Sequence, residues 1–457
     1  MGCLDLAPSR TEGDEGRLPS LTDYYDTGSD DLFDKCRRFQ GFMEELNRRQ
    51  LFQTQYRVVL EGPLDHRIRV RDPLTRRPRE MVCFDSNSYL GLHLHPRVVG
   101  AVHRALDVAG YGTPSAQLLG GCNRYLLELE EAVSAFCGRE ATLVFPSGYA
   151  ANVGILTGLL REGDCVVRDR FCHASLHDGC AWSGARHGGV YRSLDAADLD
   201  RLLAREGRHA RGKLVVTDGV FSMHGRVAPL PRLREVADRH RARLMVDDAH
   251  GLGVLGRTGR GIEEHWGMPG SVDVLMGTFS KAPGAVGGYV TGSRELVDYL
   301  RVFARSSLFT ATLPAATCAG IAESLRVMAE EPEHRERLWR NARRLHAGLR
   351  GAGFPLPPLE SPILTVFMGH DALLWAASRD LFRAGFKCGN VTYPAVARGE
   401  GVIRMSVSAR HTPEDVDDAV SALEAIGARY GVLGRTPAEV QEIGGRLPLP
   451  EPLEVPA

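Results

Sequence analysis

Six short apolar runs, separated by longer amphipathic stretches, do most to restrict what this chain can fold into. They are Ala141 to Phe145, Cys165 to Arg168, Leu214 to Thr217, Arg243 to Val246, Val272 to Met276 and Gly288 to Thr291. Runs of that length alternating with helical stretches predict an α/β fold: a mostly parallel central sheet with helices on both faces. In such a sheet ligands gather at the carboxyl ends of the strands, so the residues just after each run carry the functional expectation. An approximate helical stripe from Asp31 to Thr54 precedes this block. A helical run from Glu333 to Gly351 follows it, then short strands at Ile363 to Phe367 and Val402 to Val407. The expected organisation is an N-terminal arm and helix over 1–75, a large domain over 76–311, a smaller C-terminal α+β domain over 312–433 and a Pro-rich, peripheral tail over 434–457.

At 457 residues and 43% hydrophobic content the chain can bury a large core. A formal net charge of -1 gives no basic field for nucleic acid, and no apolar run reaches the length of a bilayer span. Acids rather than a basic and apolar segment follow the N-terminal Met1-Gly2-Cys3-Leu4, so no secretory signal is expected and the cytoplasm is the default location. Ten cysteines without a C-x-x-C pair read as reduced, mostly buried thiols.

Lysine is scarce: Lys35, Lys213, Lys281 and Lys387 stand against fifty-two arginines. Lys35, Lys213 and Lys387 read as solvated or snorkelling side chains. Lys281 lies in the small-residue loop Gly277-Thr278-Phe279-Ser280-Lys281-Ala282-Pro283-Gly284, downstream of Met245-Val246-Asp247-Asp248-Ala249-His250. An amine in a tight loop, an acid ending an apolar strand and hydroxyls beside the amine are what a pyridoxal phosphate site requires. The amine forms a Schiff base, the acid keeps the pyridine nitrogen protonated and the hydroxyls hold the phosphate. Three further segments fit that site. Phe145 to Asn152 places Ser147, Gly148 and Tyr149 where a strand hands over to a helix, so backbone N–H groups can bind phosphate. Asp169 to His177 carries His173 shortly after a strand, where an imidazole can stack on an aromatic ring, and Thr217 to Gly225 delivers Ser222.

The series FPSGYAAN, RFCHASLHDG, TDGVFSMHG, MVDDAHGLGVLGRTGRG, GTFSKAPGAVGGY, SSLFTATLP and VIRMSVSARHTPEDV resembles the α-oxoamine synthase family of type I pyridoxal phosphate enzymes, over residues 80 to 430 in unbroken order. The resemblance implies the type I aminotransferase-like fold and a homodimer with shared active sites. It implies that Lys281 bonds the cofactor and moves protons at the substrate Cα, that Asp247 pairs with the pyridinium, and that His250 and Ser222 reach the phenolic oxygen while His173 stacks on the ring. Gly148, Tyr149, Thr278 and Ser280, with Thr310 of the neighbouring subunit, would hold the phosphate, and Arg404 the amino-acid carboxylate. The implied reaction is a decarboxylative Claisen condensation of Ser, Ala or Gly with an acyl thioester, carried by CoA or an acyl carrier protein, to give an α-aminoketone.

Several positions depart from the family pattern. In Asn87-Ser88-Tyr89-Leu90-Gly91-Leu92, Ser88 takes the place of an asparagine near the substrate carboxylate. Pro114-Ser115-Ala116-Gln117 stands where many members carry Gly-Ser-Arg, and Leu126 replaces a histidine. Losing an arginine and a histidine near the acyl channel points to a different acyl group or carrier. Two alternatives remain: a catalytically silent partner subunit of the same fold, and a metal-dependent hydrolase using His173 and His177 at i, i+4 with Asp247, Asp248 and His250.

Overall fold

The computed structural model describes residues 21–393, 395–448 and 451; the expected arm over residues 1–20 and the last residues of the tail lie outside them. The chain forms two compact units. One runs from Asn87 to Arg337, and the other joins the described residues up to Ser86 with those from Leu338 onward.

The first unit is built on a seven-stranded sheet: β1 (Ala141–Phe145), β2 (Cys165–Asp169), β3 (Arg186–Tyr191), β4 (Lys213–Asp218), β5 (Arg243–Asp247), β6 (Val274–Thr278) and β7 (Gly288–Gly292), in the spatial order β1-β7-β6-β5-β4-β2-β3. Every residue of β1, β6 and β7 is buried, the pattern of strands covered on both faces. Neighbours from β3 through β6 pair in parallel, whereas β7 is antiparallel to both β1 and β6. Nine residues separate the end of β6 from the start of β7. A parallel crossover needs a dozen or more, so the chain must turn straight back. β3 lies outside the six apolar runs because Arg-His-Gly-Gly is too polar to stand out, which suits a strand at the sheet's edge. One core cluster joins Leu143, Phe145, Val216, Met245 and Met276 of the sheet to Ile155 and Leu156 of the helix Gly148–Leu159. Each such side chain contributes about 1.5–3 kcal/mol by leaving water.

The helix Ala315–Glu330 packs on the helices Pro96–Ala109 and Arg124–Cys137, so the first unit runs on past residue 312. In the second unit, Ile363–Gly369, Gly401–Ser406 and Gly389–Val391 form a three-stranded sheet. A second sheet pairs Val59–Leu60, Arg67–Arg71, Pro78–Cys83 and Phe386–Lys387. Of the early stripe, Asp34–Arg48 is helical, and the tail contains a helix, Pro437–Gly445, started by a Thr436–Glu439 capping box. Lys387 is a correction: it is buried and its ammonium lies 2.6 Å from Asp85. Among the described residues no helix is long and apolar enough to cross a membrane.

Candidate active site

The carboxyl ends of β1, β4, β5 and β6 and the loops after them carry most of the expected site residues. Ser147 caps the helix Gly148–Leu159, its hydroxyl accepting from Ala150 N at 3.0 Å, which leaves the first N–H groups of that helix aimed outward. Gly148 has no room for a side chain: a Cβ there would lie 2.9 Å from Thr278 Oγ1. Thr278 ends β6, donates to Gly287 O at 2.7 Å and accepts from Ser280 N at 3.3 Å. A helix N-terminus, a glycine that admits close approach and two hydroxyls thus face one another, a donor set suited to a phosphate. Tyr149 is exposed and its hydroxyl donates to Asp178. Thr310 is half-buried and lines a small cavity with Phe145, Pro146 and Leu313 of this same chain.

Asp247, the last residue of β5, is buried, and each of its oxygens accepts a hydrogen bond. Its Oδ2 accepts from Asn152 Nδ2 at 2.7 Å and its Oδ1 from Ala249 N at 3.0 Å. The other hydrogen of the Asn152 amide goes to Ser175 Oγ at 2.9 Å, and Ser175 Oγ lies 2.7 Å from His173 Nδ1. Asp247 and His173 are therefore held by one continuous chain of side chains. Asn152 Oδ1 is buried with no partner among the described residues. His173 is not inside the helix Ala174–Trp182 but caps it, and the residue keeps solvent exposure although its surroundings are densely packed. That partial loss of solvation lowers the His173 pKa, with Asp247 opposing the shift and Lys281 adding to it. The three groups share one electrostatic neighbourhood.

Lys281 is half-buried in the bend after β6, its carbonyl accepting from Gly284 N at 2.9 Å. His250 is buried, with Nδ1 hydrogen-bonded to the Tyr89 hydroxyl at 2.6 Å. Ser222 is half-buried in the turn after β4. Asn87 and Ser88 are half-buried, and Ser88 Oγ lies 3.0 Å from His93 Nδ1. Arg404 belongs to the second unit, where it is buried on Gly401–Ser406 opposite Gly389 and Thr365.

Three residues escaped the sequence reading, Asn152, Tyr89 and Asp218, and Asp248 entered it only as a candidate metal ligand. Asp248 sits where a Cβ on Gly219, Gly251 or Gly261 would strike its carboxyl, which explains the glycines of that stretch, and burial pushes its pKa up. The hydrolase alternative loses its geometry. His173 and His177 do not share a helix face, Arg168 lies 3.2 Å from His177 Nε2, and burial lowers the His177 pKa to about 4. Among the described residues, the metal-capable atoms within 4.8 Å of one another belong to His95, Glu331 and His334. Arg97 and Arg337 already engage that trio, at 3.1 Å from Glu331 and 2.8 Å from His334.

The family model for aminotransferase class I and II matches residues 79–423. An 8-amino-7-oxononanoate synthase of Methylococcus capsulatus is 44% identical over 83% of this chain and 96% of its own length. The 4-hydroxy-2,2'-bipyrrole-5-methanol synthase PigH of a Serratia species is 39% identical over 95% of this chain, which spans 66% of PigH. A serine palmitoyltransferase structure from S. paucimobilis with bound PLP superposes with a TM-score of 0.84 at 32% identity, covering 88% of this chain and 100% of that one. The chain belongs to the aminotransferase class I and II family and, within it, to the α-oxoamine synthases. It is a pyridoxal-phosphate-dependent C-acyltransferase with the type I aminotransferase-like fold, joining an amino acid to an acyl thioester. The buried, doubly hydrogen-bonded Asp247 and the Gly148 cradle fit that cofactor.

Proposed function

We propose that this chain condenses a small amino acid, Ser, Ala or Gly, with an acyl group carried on CoA or an acyl carrier protein, releasing carbon dioxide and leaving an α-aminoketone. The observation that carries the reading is the hydrogen-bonded chain from Asp247 through Asn152 and Ser175 to His173, on the sheet that also presents Lys281 after β6 and the helix N-terminus at Ser147. Bound pyridoxal phosphate supplies an electron sink that stabilises a carbanion at the amino acid's Cα. Asp247, fixed in place by its hydrogen bonds from Asn152 Nδ2 and Ala249 N, would pair with the ring nitrogen. His173 covers the ring, and Ser222 and His250 hold its phenolic oxygen. Ser147, Gly148, Tyr149, Thr278 and Ser280 hold the phosphate, joined by Thr310 of a second subunit. Lys281 takes the Cα proton and returns it. Arg404, Asn87 and Ser88 are assigned to the amino-acid carboxylate on the strength of the family resemblance, a guanidinium fork being suited to that group. The exposed Tyr111, Leu118, Leu119 and Phe309 of the first unit support a homodimer.

The test pairs Ser, Ala and Gly with acyl-CoA and acyl-carrier thioesters of graded chain length, following free thiol and carbon dioxide. One pair should release both in equal amounts, and Lys281→Ala should abolish release and the protein's visible absorbance. Bound cofactor with no thiol release from any pair would favour the silent-subunit reading instead.

A further inference from the structure

We propose that Asp218 is a positioning residue of the cofactor site that acts as a neutral carboxylic acid, fixing the backbone of His173 while Asp247 beside it serves the cofactor's ring nitrogen. This rests on the reading of Asp247 as the partner of the ring nitrogen. Asp218 and Asp247 are the last residues of β4 and β5 and are direct partners in the parallel register. Residues so paired point to the same face on strands about 4.8 Å apart. Both are buried, at 3% and 5% exposure. Two carboxylates so close and so dry cannot both ionise, and the better-solvated one keeps the charge. Asp247 receives Asn152 Nδ2 and Ala249 N; Asp218 Oδ1 receives the N–H of His173 at 3.2 Å.

The remaining groups around Asp218 point the same way. Burial pushes its pKa well up, Asp247 and Asp169 add to the shift, and the His173 N–H and Lys281 oppose it. The other titratable neighbours, Tyr191 and Cys172, are buried and neutral, their pKa values also raised by burial. Because His173 is the cap of its helix, the bond from its N–H to Asp218 sets where the ring begins, while Ser175 fixes the ring's Nδ1 edge. One acid thus serves the cofactor's charge and the other serves geometry.

The experiment uses the full-length protein and three readouts. Infrared difference spectra of wild type against Asp218→Asn, taken on the apoprotein at neutral pH, should show the C=O stretch of a protonated carboxyl that the variant lacks. In the holoprotein, Asp218→Asn should leave unchanged the pH midpoint of the bound cofactor's visible absorbance, since amide and acid are both neutral and both accept from His173. Asp218→Ala should weaken pyridoxal phosphate binding about tenfold by orphaning the His173 N–H. Absence of the protonated-carboxyl band, or an Asn variant whose midpoint falls by about one unit or more because a nearby negative charge was removed, overturns the proposal. Should the Ala variant not fold, the other two measurements still decide it. A protein that never takes up pyridoxal phosphate would refute the functional reading, and the infrared band would still report on Asp218.

Discussion

Asn152 Nδ2 stands 2.7 Å from Asp247 Oδ2, two buried side chains brought together from positions 95 residues apart. The same amide reaches Ser175, and through it the edge of His173. Asn152→Ala should therefore loosen both Asp247 and His173, the two residues proposed to flank the cofactor ring. Leaving buried acceptors unpaired costs about 1–3 kcal/mol, so kcat/KM should fall roughly 10- to 100-fold. Steady-state kinetics beside a thermal melt separate this from unfolding; a variant as active as wild type would show that the relay is ornamental to catalysis.

Tyr89 makes a parallel case at His250. It is fully buried, holds an unusual backbone φ of 22°, and its hydroxyl lies 2.6 Å from His250 Nδ1. A non-glycine residue keeps such a conformation only where its surroundings over-determine it. Tyr89→Phe keeps the ring and removes that bond from the His250 imidazole. Activity should drop about tenfold with little loss of stability, in line with one buried hydrogen bond. A loss confined to Tm, with kinetics intact, would assign Tyr89 to packing alone.

Close approach of backbone to side chain leaves Gly148 no room for a methyl in the proposed phosphate cradle. Gly148→Ala puts a methyl 2.9 Å from Thr278 Oγ1 and 3.3 Å from the Met276 side chain, so the helix start and the end of β6 must separate. Affinity of the apoprotein for pyridoxal phosphate, followed by fluorescence titration, should weaken by about tenfold or more, since an overpacked site costs roughly 1–3 kcal/mol. Affinity equal to wild type would place the phosphate elsewhere.

The strands of the large sheet were legible because residues buried on both faces must be apolar throughout. Cys165–Asp169, Lys213–Asp218 and Arg243–Asp247 fall within two residues of the runs that announced them. Strand direction was not legible from periodicity, which is blind to polarity; only the short link from Thr278 to Gly288 betrays the reversal of β7. Two local signals were present and passed over. Arg67-Ile68-Arg69-Val70-Arg71 alternates exposed and buried, a clear period of two, and Thr436 with Glu439 spells a capping box. Lys387 read as a surface lysine because its partner Asp85 lies 302 residues away. Asn152, Tyr89 and Asp218 were hidden for the same reason: each acts on a neighbour that only the fold supplies.

His411 gives the second unit a pH dependence whose sign is fixed by its bonds. Its Nδ1 accepts from Ser408 N and its Nε2 donates to Cys83 O, both at 3.0 Å, which selects the neutral tautomer, and the ring stacks on Phe84 at 4.1 Å. Burial lowers its pKa to about 4. Above pH 6.5 neither folded nor unfolded chain protonates this ring, and the stabilisation is complete. As pH falls from about 6.5 to about 4 the unfolded chain binds a proton that the native ring refuses, so stability drops, by about 3 kcal/mol for this group, and then levels off. Denaturant titrations of wild type and His411→Asn across that window isolate the contribution, because other titrations cancel in the difference. The gap between the two should narrow as the solution is acidified; a gap constant from pH 7 to pH 4 would mean that the ring is charged, or free to charge, in the native protein.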